Sequence, residues 1–367
     1  MRAKALAFAA LALLFTIAPA AAQPPRVTNG RVTTQPAASG LEAAFRRLVS
    51  TQSDAGWIGY LVPAVHRSDS NRWSGDTWIS DGLVFTNGRL ATCSLEPSTQ
   101  RRTPDQPATL QNPVKLEGPD ALVVLYRVEN RTVQRIRSVS NDCELDAGGL
   151  SLQWLDAVNS AESIKLLSTF VSTTAVKSDR LTEAAVGAIA LHRDAAADAE
   201  LERLAAVSYP EFVRRKATFW MGVARGSRGF EMVKKIAHDD PSVDVRKSAM
   251  SALAQSGDDQ AIPELIRFAR NDASPAVRGE ALFWLAQKAG QRAASEITAA
   301  IERDPDTEVK KRAVFALSQL PKDEGVPLLI NVAKSNQNPV VRKQAMFWLG
   351  QSKDPRAIEF FAQILAK

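Results

Sequence analysis

The chain holds three histidines, His66, His192 and His238, and two cysteines, Cys93 and Cys143, among 367 residues. That inventory bounds the chemistry. A zinc or iron centre draws its ligands from clustered His, Cys and carboxylates, and a nucleophilic triad needs a histidine to activate its serine. The three histidines are scattered, and the residues that follow them are Arg67, Arg193 and Asp239. His66 comes nearest to a cluster, with Asp69, Asp76 and Asp81 downstream; it reads as a loop histidine. No phosphate-binding or dinucleotide-binding glycine pattern occurs. No catalytic residue, no metal ligand and no cofactor is therefore assigned.

Neither cysteine has a Cys-x-x-Cys neighbour, which removes support for a redox or zinc role. What remains is one disulfide, Cys93–Cys143, or two buried free thiols. The first thirty residues favour the disulfide. Arg2 and Lys4 precede an apolar run from Ala5 to Ile17, and Ala20-Ala21-Ala22 offers small residues before Gln23. This is the layout of a secretory signal peptide over 1–22, cleaved after Ala22. The apolar run is too short to span a bilayer of ~30 Å, and Pro19 interrupts it. Export places the chain in the periplasm or outside the cell, where paired cysteines oxidise.

A third group of residues repeats. Val213, Val245, Val277, Val309 and Val341 lie 32 residues apart, and each precedes a base: Arg214, Arg246, Arg278, Lys310 and Arg342. Ala217, Ala249, Ala281, Ala313 and Ala345 follow at four residues, then Met221, Leu253, Leu285, Leu317 and Leu349 at eight. Spacing of i, i+4 and i+8 is one stripe of a helix. Ser208, Asp240, Asp272, Asp304 and Asn336, each near a proline, read as caps at the start of that helix. Gly226, Gly257, Gly290 and Pro321 then break the chain, and a second stripe runs through Val233, Leu265, Ile297, Leu329 and Phe361. Each unit is a helix–turn–helix that cannot bury its own face, so neighbours must stack. The bases after the valines read as structural staples between units. Trp220, Trp284 and Trp348, on every second unit beside Ala252 and Ala316, read as core.

The elements ahead of the repeats look different. Residues 23–40 are rich in Pro, Thr and Ala and read as a flexible leader. Leu41–Gln52 has helical spacing, whereas 57–62, 77–85, 121–128, 132–139 and 151–155 have strand texture, with a hairpin turn at Glu129-Asn130-Arg131. The domain plan is thus a signal peptide (1–22), a leader (23–40), a small β-rich α+β domain (41–159) and an α-solenoid (160–367). The solenoid has a partial unit at about 181–207 and full units at about 208–239, 240–271, 272–303, 304–335 and 336–367. Because repeats contact mainly their neighbours, residues 171–367 are expected to fold alone.

The core D-x-x-x-x-V-R-x-x-A-x-x-x-L, carried by Asp240–Leu253 and Asp272–Leu285, resembles the HEAT superfamily, and within it the short HEAT-like repeats of the bilin lyases. The resemblance implies an α-solenoid over about 181–367 and says nothing of the N-terminal domain. HEAT-like deoxyhypusine hydroxylases hold di-iron through His-Glu pairs, and this sequence has none. No lyase residue is identifiable, and a secretion signal is the wrong address for a lyase.

The reading that follows is an exported, non-catalytic protein–protein interaction scaffold. In HEAT-type stacks the second helices line the concave face, so its polar columns are the candidate binding residues: Lys235, Arg267, Asn331 and Gln363 in one, and His238, Arg270, Glu302 and Lys334 in the other. Their basic edge suits an acidic protein segment. One alternative is an enzyme with its site in the β-rich domain and the repeats presenting substrate. The other is a nucleic-acid binder, against which stand the export signal and a net charge of +6 that falls to about +4 once Arg2 and Lys4 leave with the signal peptide.

Overall fold

The computed structural model describes residues 25–65, 93–96, 121–141, 145–174 and 179–366. The expected signal peptide, His66, the strand expected at 77–85 and Cys143 lie outside them.

The N-terminal part is built on a five-stranded sheet. In chain order it contains β1 (Val27–Thr28), β2 (Val32–Pro36), helix α1 (Leu41–Thr51), β3 (Gly56–Pro63), β4 (Cys93–Ser94), β5 (Ala121–Glu129), β6 (Thr132–Ser140), β7 (Leu145–Asp146) and β8 (Ser151–Asp156). The large sheet has the order β2-β8-β3-β5-β6, and a small parallel sheet has the order β1-β7-β4. The strands expected near 57–62, 121–128, 132–139 and 151–155 are all present. The hairpin turns through Asn130 and Arg131, both at positive φ (51° and 59°), which matches the twist that a two-residue turn needs.

Residues 27–36 correct the reading of a flexible leader. Val32–Pro36 pairs in parallel with Leu152–Asp156 along its whole length. The Val-Thr-Thr run is good strand sequence, and Pro36 sits at the end of a strand on the sheet's outer side, where a missing N–H costs little.

Strand β5 explains the sheet's position. Its apolar run is buried on both faces. Leu122, Val124, Tyr126 and Val128 point into a large core with α1 and the later helices. Val123 and Leu125 point into a second core with Trp57, Leu145, Leu152 and Trp154. The period of two separates the faces.

Helix α2 (Ser160–Ser168) begins at Asn159, whose side chain accepts from the Glu162 amide. Helices α3 (Arg180–Leu191) and α4 (Ala196–Leu204) form the partial unit. The five full units are α5 (Glu211–Ala224) with α6 (Gly226–Asp239), α7 (Val243–Gln255) with α8 (Ala261–Asn271), α9 (Pro275–Ala289) with α10 (Ala294–Arg303), α11 (Thr307–Ser318) with α12 (Lys322–Ser335), and α13 (Pro339–Ser352) with α14 (Pro355–Leu365). Gly226, Gly257 and Gly290 turn between paired helices at positive φ, which a side chain would strain.

Every Val and Ala of the first stripe is fully buried, as are Met221, Leu253, Leu285 and Leu317. The small residues let backbones touch: a Cβ on Gly222 would stand 2.3 Å from the Ala252 carbonyl oxygen. Trp220 is buried against Gly187, while Trp284 and Trp348 are only partly buried. The tryptophan column is therefore core at its N-terminal end and surface-edged further on.

The sheet and the solenoid share one core, which runs without a break from Leu41 to Phe360. Helix α3 is the common wall, with residues 182–191 all buried. Its end is also tied to β3, since the Val65 amide donates to the Leu191 carbonyl at 2.9 Å and the Arg193 amide to the Pro63 carbonyl at 3.1 Å. The expectation that 171–367 folds alone meets a cost here, since such a fragment would expose the side of α3 that β6 covers.

Leu285→Ala or Leu317→Ala should each lower unfolding free energy by ~2–5 kcal/mol, because both side chains are fully buried and a cavity adds to the lost transfer energy. Chemical denaturation of the full chain measures it, and a neutral result would disprove the stripe register.

Candidate interaction surface on the repeats

The bases after the repeat valines link one unit to the next. Arg214 Nε lies 3.0 Å from Asp240, Arg246 Nη2 3.2 Å from Asp272, and Arg278 Nε 2.8 Å from Asp304. The same guanidiniums reach backward to the carbonyls of Tyr209, Asp240 and Asp272 at 2.7, 3.1 and 2.9 Å. Each Arg thus pins the loop before its own helix to the loop that opens the next unit. Burial alone pushes the Asp304 carboxyl up; the Arg278 guanidinium and the Asp306 amide outweigh it and hold it below the usual range. The fourth junction lacks the pair, since Lys310 donates to the Glu302 carbonyl and Asn336 replaces the Asp.

These aspartates do not cap the following helix, as their position in the sequence suggests. Asp240, Asp272 and Asp304 sit at the end of the preceding helix. Their carboxylates accept from the amides of Ser242, Ser274 and Asp306. The capping side chains lie two residues on, with Ser242, Asp306 and Asn338 accepting helix amides. An aspartate already engaged with an Arg and one turn amide has little left to reach a helix start.

A buried polar chain crosses the junction. Tyr126 and Tyr60 hydroxyls are 2.8 Å apart, Tyr60 and Ser163 2.9 Å, Ser163 Oγ and His192 Nε2 2.8 Å, and His192 Nδ1 is 2.7 Å from the Ala188 carbonyl. A carbonyl only accepts, so Nδ1 carries the proton and Nε2 accepts from Ser163. The serine oxygen then accepts from Tyr60. A Ser–His contact invites a nucleophile reading, but Nδ1 faces a carbonyl rather than a carboxylate, and Ser163 and His192 are both fully buried. The chain is a lock between sheet, α2 and α3. Arg225 reinforces it by bonding Asp198 at 2.6 Å and the carbonyls of Ala190 and Asp194. Sequence reasoning passed over His192 because its side-chain partner, Ser163, lies 29 residues away; its place directly after the apolar run Ala184–Leu191 was the available signal.

Sealing from water pulls the His192 pKa from 6.5 down to about 4, against the opposing bond to Ala188. The unfolded chain takes up this proton near pH 6.5 and the folded chain only near pH 4. Stability from this group is complete above pH 6.5 and falls as the pH drops to about 4, by up to ~3 kcal/mol. Melting temperature followed from pH 7 to pH 4 should fall, and His192→Asn should flatten that slope; an unchanged slope would show that His192 does not titrate this way.

The candidate binding residues stand on the second helices, exposed except for Arg267, which is half-buried. The structure brings some together. Arg267 bonds both His238 and Glu264, and His238 and Arg267 each lie on Phe268, 4.8 and 5.0 Å from its ring centre. Arg270 is held by Glu296. Lys334 stands 5.4 Å over the Phe360 ring, and the Asn331 carbonyl is taken by Ser335. Two of the arginines read as a steering edge are thus already paired with glutamates of this chain.

Lys235 has a different setting, which the column reading missed. It stands at the rim of a cavity of about 340 Å³ with Glu202 and Asp239, over a floor of Ala205, Met232 and Ile236. The cause is the length of α4, which ends at Leu204 while its counterpart α6 runs to Asp239. In the 32-residue register α4 therefore lacks a final turn. Val207, in the loop that replaces it, is 68% exposed.

Residues 230–301 and 294–367 match the family model described as HEAT repeats. This stretch is a run of HEAT repeats. No curated protein matches the chain. Among solved structures, human deoxyhypusine hydroxylase is similar at 16% identity over 52% of this chain and 85% of that one, with a TM-score of 0.26. The CpcE–CpcF complex of phycocyanin lyase from a Nostoc species is similar at 21% identity over 54% and 80%, TM-score 0.31. For a Kap121p mutant the figures are 14%, 56% and 26%, TM-score 0.37, so the match spans about a quarter of that protein. At these identities the likeness extends to the fold alone. Among the described residues no three His, Cys, Asp or Glu side chains are grouped to hold a metal ion, and no helix is long and apolar enough to cross a membrane.

Proposed function

We propose that this chain is an exported, non-catalytic scaffold that binds a protein segment along the second helices of its HEAT repeats. The observation that carries the reading is the cavity beside Lys235. A HEAT stack whose helices matched in length would close that space with a helical turn; here a short α4 leaves an apolar floor with a polar rim, the form of a pocket for one anchoring side chain. Lys235, His238, Arg267, Arg270, Asn331 and Lys334 continue from it along the face. An acidic segment suits this edge, with Lys235 and Lys334 contributing more than Arg267 and Arg270, whose charges are already paired.

Export and the Cys93–Cys143 disulfide belong to the same proposal. In support, Cys93 pairs in register with Leu145, two residues past Cys143. Adjacent strands lie ~5 Å apart, so Cys93 runs beside Leu145, two positions along the chain from Cys143. Such a bridge closes a loop of about fifty residues and is worth ~2–4 kcal/mol.

Two outcomes are expected. Peptide mapping of the secreted protein without reductant should find Gln23 as the first residue and Cys93 joined to Cys143; retention of residues 1–22 or two free thiols would remove that part. In a pull-down from periplasmic extract, Val207→Glu with Lys235→Glu should lose the principal partner, ~2 kcal/mol or more for an anchor site, with unchanged helicity. Equal recovery would place the interface elsewhere.

A further inference from the structure

The first helices carry an array that the packing of the repeats does not use. Six residues past the repeat valine stand Phe283, Phe315 and Phe347. Four residues further on are Gln287 and Gln351, within the same helices, and Gln319, directly after α11, and four residues earlier are Lys311 and Lys343. Positions four apart share a helix face, so the stack sets aromatic and amide rows across all three units and a shorter basic row on α11 and α13 only, Gly279 standing at the α9 position.

The aromatic row is continuous. Phe283 and Phe315 stack with ring centres 5.7 Å apart and planes 2° from parallel, Phe315 lies 4.9 Å from Trp348, and Trp348 lies 5.0 Å from Phe347. Phe347 is 53% exposed. The fold does not demand these rings, because the corresponding position of the second unit is Ser251 and that unit stacks equally well. Gln287, Gln319 and Gln351 are exposed, and Gln287 and Gln351 make no hydrogen bond among the described residues. Each carboxamide offers both a donor and an acceptor. Lys343 is exposed and has no ion partner among the described residues.

We infer that this face is a docking track for an extended, proline-rich protein segment bearing acidic residues. The period decides the conformation. Packed helices stand ~8–10 Å apart. A polyproline II chain turns once in three residues, a rise of ~9 Å, so it presents the same side once per repeat. A β-strand repeats every ~7 Å and drifts out of step. Polyproline II also leaves its backbone carbonyls unbonded, which gives the glutamine row its acceptors, while proline rings cover aromatic rings well. Acidic residues on the remaining side meet Lys343, whereas Lys311 is already paired with Glu308 at 2.9 Å. The track lies on the first helices and does not depend on the cavity beside Lys235.

Fluorescence anisotropy of a labelled peptide of repeated Pro-Pro-Glu, titrated with the full chain, tests this. The expected result is saturable binding that Phe347→Ala, or Gln287→Ala with Gln319→Ala and Gln351→Ala, weakens at least about tenfold, as loss of anchor contacts does. All four side chains are at the surface, so circular dichroism should be unchanged. Val207→Glu with Lys235→Glu should leave this binding intact, which separates the track from the cavity. The inference is overturned if the peptide does not bind, if a Gly-Gly-Glu repeat binds equally, if the variants bind as the parent does, or if a soluble glucan competes for the rings instead.

Discussion

Everything here depends on burying one stripe per repeat. Val, Ala and Leu at i, i+4 and i+8 give a first helix an apolar face that its own partner helix covers only in part. Stacking the next first helix against it removes the rest from water. The alanines, with Gly222 at one junction, bring these helices into backbone contact, so the stack tolerates little slippage. The Arg–Asp staples then fix the loops at the unit boundaries. A buried ion pair is weak evidence for stability as such; its geometry, bidentate to the next unit and bonded back to its own loop, suits the setting of register.

The stripe also explains why the β-rich part is no separate bead. A solenoid must close its first face, and here α3 does so while carrying the sheet on its other side. Tyr126, Tyr60, Ser163 and His192 thread polar atoms through that wall, each with a partner, so the wall has one arrangement. The repeats beyond it are free to vary at surface positions, and both the cavity beside α4 and the aromatic–glutamine rows occur there.

Much of this was legible in the sequence, for physical reasons. The 32-residue period, the buried stripes and the strands at 57–62 and 121–139 follow from periodicity, which local burial imposes directly. The staples were legible as a type of interaction, but the caps were misplaced by two residues, because an aspartate beside a helix start serves either as cap or as turn acceptor and only its Arg partner decides. Residues 27–36 were missed since proline and threonine composition outvoted a short alternating run. The His192 lock left only a faint trace, the apolar run before His192, because it joins residues far apart in sequence; the cavity left none, being a missing helical turn seen only when helix lengths are compared. Of the two candidate columns, Arg270 is exposed and Arg267 half-buried, and their pairing with Glu296 and Glu264 could be seen only with the neighbouring side chains in view.

The central claim is that sheet and repeats form one cooperative body through α3. Native-state hydrogen exchange of the full chain under mild denaturant measures it most directly. The account predicts that amides of β5, β6, α3 and α5 open together, with one shared dependence on denaturant. Protection in α3 and α5 that persists after β5 and β6 have exchanged would contradict it and make the repeats an independent domain.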